Sequence, residues 1–286
     1  MQSVRVMLAA LSLLAPSTVA LAAPVAPTRD KPATEQRASD KPVAAPVEAK
    51  PGERSEEATL LVRPSAGVAG RHFGYADGLS RGLRSYDVPV TPTLGLGAEL
   101  YPARTLAGLG GLGLFVDYME AVGLVSERGG EPANAVWRRF DVGVRYRLNV
   151  GRGWLLGGRV AYGGSEFHHD GSTRLDTAPV DASYRMLRGG LDARVQVGAL
   201  AVVAGVDGIK PGDLGPLAVR FPRAEGLGLA ARAGVAMRPF RHIELGAQAA
   251  YERLAFQLNP EPGDKNVAGG ALDEHWRLEA NATFFY

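Results

Sequence analysis

The chain has 286 residues and a formal net charge of +2, and 46% of its residues are hydrophobic. This length suits one large domain with extensions, and so small a charge argues against a nucleic-acid partner. The lack of cysteine excludes disulfides, thiolate metal sites and a lipid-modified amino-terminal cysteine.

Residues 1–22 have the pattern of a secretory signal peptide. Arg5 gives a positively charged start, residues 6–15 form an apolar core, and Ala20-Leu21-Ala22 is a small-x-small cleavage site. The alternative is an uncleaved anchor helix, but the core is short against the roughly 20 apolar residues that span a bilayer. The sequence therefore predicts export and cleavage after Ala22.

Residues 23–57 differ sharply in composition from the rest of the chain. They are rich in Pro, Ala, Lys and Glu and carry almost no large apolar side chain. Such a segment cannot bury enough area to offset chain entropy, so a disordered or extended linker is predicted. Two roles stay open for it, a periplasmic spacer that contacts the cell wall and a flexible tail.

Residues 58–286 consist of segments in which apolar and polar side chains alternate, separated by turn-rich breaks. Period-two alternation indicates strands with one apolar and one polar face. In the clearest segment, Phe140 and Val142 oppose Arg139 and Asp141. The alternation predicts ten strands, over residues 59–73, 86–101, 112–124, 136–148, 154–167, 182–197, 200–208, 225–238, 241–256 and 275–286.

The last predicted strand ends in aromatic residues. Taken in steps of two, one face carries Trp276, Leu278, Phe284 and Tyr286, whereas the other is polar except for Phe285. This strand resembles the carboxy-terminal strand of bacterial outer-membrane β-barrel proteins. The resemblance extends over residues 59–286 and implies an all-β, closed antiparallel transmembrane barrel in contact with outer-membrane lipid. It also implies an insertion signal, read by the barrel-insertion machinery, at Trp276, Leu278, Phe284 and Tyr286.

The predicted connections are alternately short and long. Tight turns are expected at 149–153, 198–199 and 239–240, and long connections at 75–85, 126–135, 168–181, 209–224 and 257–273. This alternation is typical of a barrel with periplasmic turns and longer outer loops, and an even strand count places both termini in the periplasm. The connection at 102–111 is longer than this pattern expects. Eight or twelve strands, or a secreted soluble β-sandwich, are the alternatives.

The polar faces of the strands combine glycine and serine with arginine and acidic residues. A soluble barrel turns its apolar face inward, so this composition favours a membrane barrel with a polar lumen. Arginine outnumbers lysine 27 to five, and planar guanidinium groups bridge several carboxylates in a narrow space. The predicted lumen-lining charges are Arg63, Glu99, Asp117, Arg139, Asp141, Arg145, Arg147, Arg159, Arg188, Asp192, Arg194, Arg232, Glu244, Glu252, Arg277 and Glu279.

A barrel of about ten strands lies close to the size at which side chains fill the interior. The sequence therefore predicts an outer-membrane protein of a Gram-negative bacterium with a largely closed lumen and a structural or interaction role. A narrow, anion-favouring pore is the first alternative, and a hydrolase acting at the outer rim is the second. No cofactor is expected.

Three local sequence patterns point only weakly to cofactor binding, metal binding or catalysis. Residues 108–113 match G-x-G-x-x-G, but a strand follows rather than a helix, so a turn is predicted. His168, His169 and Asp170 lie in a predicted outer loop without further ligands nearby, so no metal site is assigned. Ser165 lies close to these histidines in sequence, but no hydrolase motif surrounds it. No catalytic residue is assigned, and the chain is expected not to be an enzyme.

Overall fold

The structure is a computed structural model that describes residues 58–80, 83, 85–106, 108–128, 131–169 and 181–286. Within these ranges, the side chains of residues 126–128, 131–133 and 169 are not described. The predicted signal peptide at 1–22 and the predicted linker at 23–57 lie outside the described residues.

Antiparallel strands make up most of the described chain. They are β1 (Leu60–Ala76), β2 (Tyr86–Leu100), β3 (Leu112–Ala121), β4 (Val125–Arg128), β5 (Glu131–Gly151), β6 (Trp154–His169), β7 (Ala182–Val197), β8 (Leu200–Asp213), β9 (Glu225–Phe240), β10 (Ile243–Gln257) and β11 (Gly270–Phe285). A short helix, α1 (Pro216–Arg220), lies between β8 and β9. No helix in the described ranges is long and apolar enough to cross a membrane.

The sheet closes on itself. The barrel strands pair with their neighbours in sequence, β3 pairs with β5, and β1 pairs with β11 over a register that runs from Leu61 opposite Phe285 to Ala76 opposite Gly270. β4 pairs only with β5 and extends that strand beyond the wall as a hairpin. Ten strands therefore form a closed antiparallel barrel, as the alternation predicts, and the first and last strands meet.

Several strands extend further than predicted at the end that carries the long connections, which we call the loop end. β8 continues to Asp213 rather than residue 208, and β11 begins at Gly270 rather than residue 275. In the connection predicted at 126–135, the described residues 126–128 and 131–135 belong instead to β4 and β5. The physical reason is that the inward face near the loop end is apolar, with Phe256 and Leu254 buried, so the alternation fades there. At the opposite end, the turn between β9 and β10 lies at 241–242 rather than 239–240.

The outward face carries an apolar band with polar and aromatic margins. Leu191 and Leu278 are more than half exposed in the middle of their strands. Toward the loop end, every barrel strand carries an outward ionisable residue, in order His72, Asp87, Glu120, Arg138, Glu166, Arg185, Lys210, Glu225, Arg253 and Glu274, and β6 carries His168 as well. Outward aromatic residues lie on the band side of these positions, at Tyr118, Phe140, Tyr162, Tyr251 and Trp276. At the other margin are Tyr146, Trp154, Phe240, Phe284 and Tyr286.

The height of the band can be estimated from the spacing of its aromatic margins. Trp276 and Phe284 mark its two margins on β11, and at about 3.3 Å per residue they lie about 26 Å apart along the strand. At a strand tilt of about 40° this length corresponds to a height of about 20 Å, compared with the apolar band of about 25 Å that membrane barrels carry between aromatic girdles. The outward face therefore has the pattern that is typical of a membrane barrel.

The interior of the barrel has three layers. The loop-end core is an apolar cluster that includes Trp137, Tyr184 and Leu254, and it also takes in Leu217 and Phe221 from the β8–β9 connection. The middle layer is charged and surrounds a cavity of about 250 Å³. The terminal cluster consists of Ala58, Leu61, Tyr101 and Phe285, at the end where β1 begins and β11 ends. We call that end the terminal end.

Candidate functional site in the lumen

All sixteen predicted charges line the luminal cavity. They come from the inward positions of β1, β2, β3, β5, β6, β7, β9, β10 and β11. The structure thus brings together in one chamber residues as far apart in sequence as Arg63 and Glu279. Side chains alternate between the inward and outward faces of every barrel strand. The inward charges of all these strands therefore point into the same lumen.

On the loop-end side of the chamber, Glu252 joins two arginines. Arg188 Nη2 donates a hydrogen bond of 2.7 Å to Glu252 Oε2, and Arg139 Nη2 lies 2.7 Å from the same oxygen. Arg188 Nε lies 3.0 Å from Asp141 Oδ1, which continues the chain of charges across the lumen. Arg188 and Glu252 are 3% exposed, so neither group retains its water.

In the centre, two aspartates alternate with three arginines. Arg159 donates to Asp207 through Nε (2.8 Å) and Nη2 (2.5 Å), and Arg232 Nη1 donates to the same carboxylate at 3.1 Å. Asp192 Oδ1 accepts from Arg232 Nη2 at 3.4 Å and from Arg145 Nη2 at 2.9 Å. Planar guanidinium groups with several donors suit this bridging, which a lysine ammonium could not reproduce.

Toward the terminal end, Glu99 accepts from three groups. Arg145 Nη1 donates at 2.6 Å, Tyr101 Oη donates at 2.7 Å, and Arg147 Nη2 lies 2.9 Å from Glu99 Oε2. Arg63 donates to Asp117 at 2.6 Å. The remaining pairs are Arg194 with Glu244 (2.8 and 2.6 Å) and Arg277 with Glu279 (3.1 Å).

Glycines leave the space that these long side chains fill. A Cβ at Gly205 would lie 2.8 Å from Arg232 Cζ, and a Cβ at Gly157 would lie 2.6 Å from Asp192 Oδ2. Both positions are inward, directly beside the charged residue of the next strand. The many glycines of the polar faces therefore provide room for the network in a narrow barrel.

Four charged residues of the interior are absent from the sequence-based prediction. Asp207 is 4% exposed at the centre of the network, although the strand around it was predicted as short and apolar. Arg238 shares the inward face of β9 with Arg232 but is not among the predicted charges. Arg71 and Asp273 form a bidentate pair of 2.9 and 2.7 Å inside the loop-end core. Strand alternation could have identified these residues, because each lies an even number of positions from an inward-facing residue of the same strand.

Among the described rim residues, Ser165 and His168 lie on opposite faces of β6. Ser165 faces inward and is 3% exposed, whereas His168 faces outward and pairs with Asp181 at 2.8 Å. Asp170 and the side chain of His169 lie outside the described residues. Among the described residues, no group of three or more metal-ligating side chains is found. The glycine-rich segment at 108–113 forms the turn before β3 and the start of that strand.

The predicted insertion-signal residues lie on the outward face of β11 or just beyond its end. Trp276 is opposite Tyr251 of β10 and Gly70 of β1, and Leu278 is 54% exposed. Tyr286, after the end of the strand, is 70% exposed. Phe285, the apolar exception on the polar face, is 6% exposed inside the terminal cluster rather than at an open rim.

No protein-family model matches the chain, and no curated protein matches it significantly. One similar solved structure is Neisserial surface protein A, with 12% identity over 80% of this chain and 97% of that chain and a TM-score of 0.35. Another is the beta domain of the Bordetella autotransporter BrkA, with 12% identity over 79% of this chain and 99% of that chain and a TM-score of 0.43. A third is the outer membrane protein OprG from Pseudomonas aeruginosa, with 11% identity over 80% of this chain and 97% of that chain and a TM-score of 0.35. Likenesses of this size say nothing about the role of this chain, and it is the pairing of its own strands that confirms the expected closed antiparallel β-barrel.

Proposed function

We propose that this chain is an integral outer-membrane barrel with a closed lumen and a structural or interaction role. The observation that carries the proposal is that both ends of the lumen are filled by apolar side chains. Leu217 is fully buried and Phe221 is 2% exposed at the loop end, and Phe285 is 6% exposed at the terminal end. Between them, arginines and carboxylates pair across the lumen. A conducting path would have to displace both clusters and break charge pairs in a site of low dielectric.

The outward face supports the membrane location. An apolar band about 26 Å long on β11, estimated from the rise per residue, is bordered by aromatic residues such as Trp276 and Phe284. Placed in the outer membrane, the short turns and both termini lie in the periplasm and the long connections lie outside. The terminal aromatic residues then stand where the barrel-insertion machinery would read them.

Three of the long connections are joined to one another by hydrogen bonds, and we call these three the fastened connections. Leu79 N donates to Val267 O at 3.0 Å, and Val267 N donates to Ser80 Oγ at 2.7 Å. Arg223 pairs with Asp264 and donates to Asn259 O at 2.9 Å. These contacts join the β1–β2, β8–β9 and β10–β11 connections. A preorganised surface loses little conformational entropy on binding, which favours an interaction role.

A narrow pore is the second candidate, and the luminal cavity favours it. The cavity of about 250 Å³ shows that the side chains do not fill the middle of the barrel completely. Small displacements of the terminal cluster would connect this space to one side of the membrane. The two candidates differ in whether the protein at rest conducts.

Membrane insertion and conductance test the proposal together. The protein should extract with outer membranes and shift its gel migration on heating, as folded membrane barrels do, and a protein that stays soluble after secretion would contradict it. In planar bilayers the refolded protein should show no stable openings. A variant with Leu217→Ala, Phe221→Ala and Phe285→Ala should conduct more than a control with Leu79→Ala, because Leu79 is 81% exposed outside both clusters. Stable discrete openings of the unaltered protein would favour the pore.

A further inference from the structure

The two ends of the barrel differ in the charges that they carry outside the lumen. At the loop end, acidic and basic side chains are mixed on the outward face, as in Arg138 and Glu166. In the turns and outward positions of the terminal end, the described side chains include four basic ones and no aspartate or glutamate. The basic ones are Arg104, Arg152, Arg241 and His242. The described surface outside the lumen is therefore positively charged at the terminal end.

Two of these arginines are exposed in tight turns. Arg152 lies in the β5–β6 turn and Arg241 in the β9–β10 turn. Neither side chain forms an ion pair with the residues that the structure describes. Their guanidinium groups are therefore accessible from outside, and a planar guanidinium binds phosphate oxygens through two parallel hydrogen bonds.

Each of the two arginines has an outward aromatic residue beside it. Trp154 follows Arg152 by two residues and is 46% exposed, and Phe240 directly precedes Arg241 and is 66% exposed. In membrane barrels such aromatic residues lie at the boundary between the hydrocarbon and the headgroups. The two arginines lie just beyond this boundary, which is the level of the lipid phosphates.

The turn between these two positions is apolar. Residues 198–199 connect β7 to β8, and the flanking Val197 and Leu200 are 60% and 48% exposed. Apolar side chains at the tip of a hairpin are better placed in a lipid interface than in water. We call the surface formed by Arg152, Trp154, residues 197–200, Phe240 and Arg241 the basic rim. It combines an apolar centre with a positive charge on either side.

We propose that the basic rim binds anionic phospholipids in the leaflet at the terminal end, with Arg152 and Arg241 on the phosphate groups. The inference rests on the proposed function, because it requires the outward face to lie in a membrane. The two arginine-bearing turns are four strands apart, about 19 Å at the usual strand spacing, so each binds its own headgroup. A soluble acidic partner would match the arginines but would leave Val197 and Leu200 in water.

Quenching of tryptophan fluorescence by brominated lipids tests the basic rim. The complete chain is inserted into mixed vesicles of phosphatidylcholine and phosphatidylglycerol, in which one lipid or the other carries dibrominated acyl chains. The Trp276→Phe variant leaves Trp154 as the outward tryptophan, because Trp137 is 1% exposed inside the barrel. One basic residue near a surface favours anionic lipid about fivefold. Phosphatidylglycerol should therefore bind beside Trp154 about fivefold more strongly than phosphatidylcholine.

Variants of Arg152 decide whether this preference belongs to the basic rim. In the Trp276→Phe background, the preference should disappear in Arg152→Gln and persist in Arg152→Lys, which keeps the charge. The matched control is Arg253→Gln, because Arg253 is an outward arginine at the loop end with a side chain that is 58% exposed. It should keep the full preference. If Arg152→Gln does not fold, the salt dependence decides, because the preference beside Trp154 should decrease as added salt screens the charge.

The second arginine needs its own reporter. Phe240→Trp, combined with Trp154→Phe and Trp276→Phe, places an outward tryptophan beside Arg241. The same preference for phosphatidylglycerol should appear there, and Arg241→Gln should remove it.

The results separate this inference from the proposed function. No preference for phosphatidylglycerol at either reporter, an equal preference in Arg152→Gln, or a preference that salt does not change overturns the basic rim. An equal preference beside Trp276 in the Trp154→Phe variant also overturns it, because the attraction would then belong to the whole barrel. In each of these cases, quenching by brominated phosphatidylcholine leaves the membrane location standing. If no brominated lipid quenches either outward tryptophan, the proposed function itself fails.

Discussion

At the scale of single residues, the lumen depends on carboxylates that each serve more than one arginine. Asp207 accepts from Arg159 and Arg232, and Glu252 lies within 2.7 Å of Arg139 and Arg188. Buried ion pairs add little net stability over apolar packing, but removing one partner strands the other charge in a medium that solvates it poorly. Removing the charge of a shared carboxylate leaves two arginines without a partner at once. Neutral substitutions should therefore be most destabilising at these carboxylates.

Asp207→Asn should destabilise the folded barrel strongly. The change keeps the shape of the side chain but removes the charge that compensates Arg159 and Arg232, whose side chains are 16% and 17% exposed. Loss of one partner of a buried pair typically costs about 3–5 kcal/mol. The measurement is the urea midpoint of unfolding in detergent micelles, followed by heat-modifiable migration. Glu225→Gln, at an exposed outward position, is the control and should leave the midpoint unchanged. Equal midpoints for the two variants would mean that the network contributes nothing.

At the scale of elements, alternation was sufficient to locate the strands in the middle of the wall. The predicted range 182–197 coincides with β7, although its inward face changes from charged to apolar at Tyr184 and Met186 near the loop end. β8 was predicted five residues too short, because Ile209 and Pro211 replace polar residues on its inward face near the loop end. The sequence does not predict which arginine pairs with which carboxylate in the lumen, because that pairing depends on the register of several strands. Asp207 and Arg232 become neighbours only through the pairing of β8 with β9, which places Gly205 opposite Arg232.

Replacing a crowded glycine of the barrel wall by alanine should destabilise the fold, whereas replacing an uncrowded glycine should not. A Cβ at Gly143 of β5 would lie 2.7 Å from Ala161 Cα of the adjacent strand β6, and backbone atoms cannot move aside. Gly143→Ala should therefore cost about 1–3 kcal/mol in unfolding free energy, as overpacking usually does. Gly189 of β7 has open space around its Cβ position, so Gly189→Ala is the matched control and should be neutral or slightly stabilising. Equal losses of stability in the two variants would show that crowding at β5 is unimportant.

The fastened connections should loosen in acid. A hydrogen bond from the Glu261 backbone N–H, together with Arg223, lowers the pKa of the Asp264 carboxyl in the folded state. A group with a lowered pKa stabilises the fold above its unfolded value of about 3.9 and loses that contribution as pH falls through the lowered value. The contacts between the β8–β9 and β10–β11 connections should therefore hold at neutral pH and weaken only in strong acid.

Spin labels at Val219 and Pro262, both exposed, would report this change as a longer distance between the two connections. The Asp264→Asn variant should show the longer distance already at neutral pH and lose the acid transition. A distance in the unaltered protein that stays constant through the acid range would show that Asp264 does not fasten the loops.

At the scale of the whole molecule, the barrel separates three environments by strand parity and by height. Outward positions carry the apolar band, inward positions in the middle carry the charge network, and inward positions at both ends carry apolar clusters. The same residue type therefore has opposite consequences on the two faces. An arginine inside pairs with carboxylates, whereas an arginine on the band would be left in hydrocarbon without a partner.

Leu191→Arg tests this separation directly. Leu191 is outward, 67% exposed and central in β7, next to Asp192 of the luminal face. In a bilayer an arginine near the midplane of the lipid face costs about 2–4 kcal/mol, whereas an exposed position of a soluble protein would accept it within about 0.5 kcal/mol. The unfolding free energy should be measured in lipid vesicles, with Leu79→Arg as the control, because Leu79 is 81% exposed in a connection beyond the band. A large loss for Leu191→Arg alone identifies the band as the lipid-facing surface. If both variants are as stable as the parent, the outward face of β7 is not in hydrocarbon, and the membrane assignment fails with it.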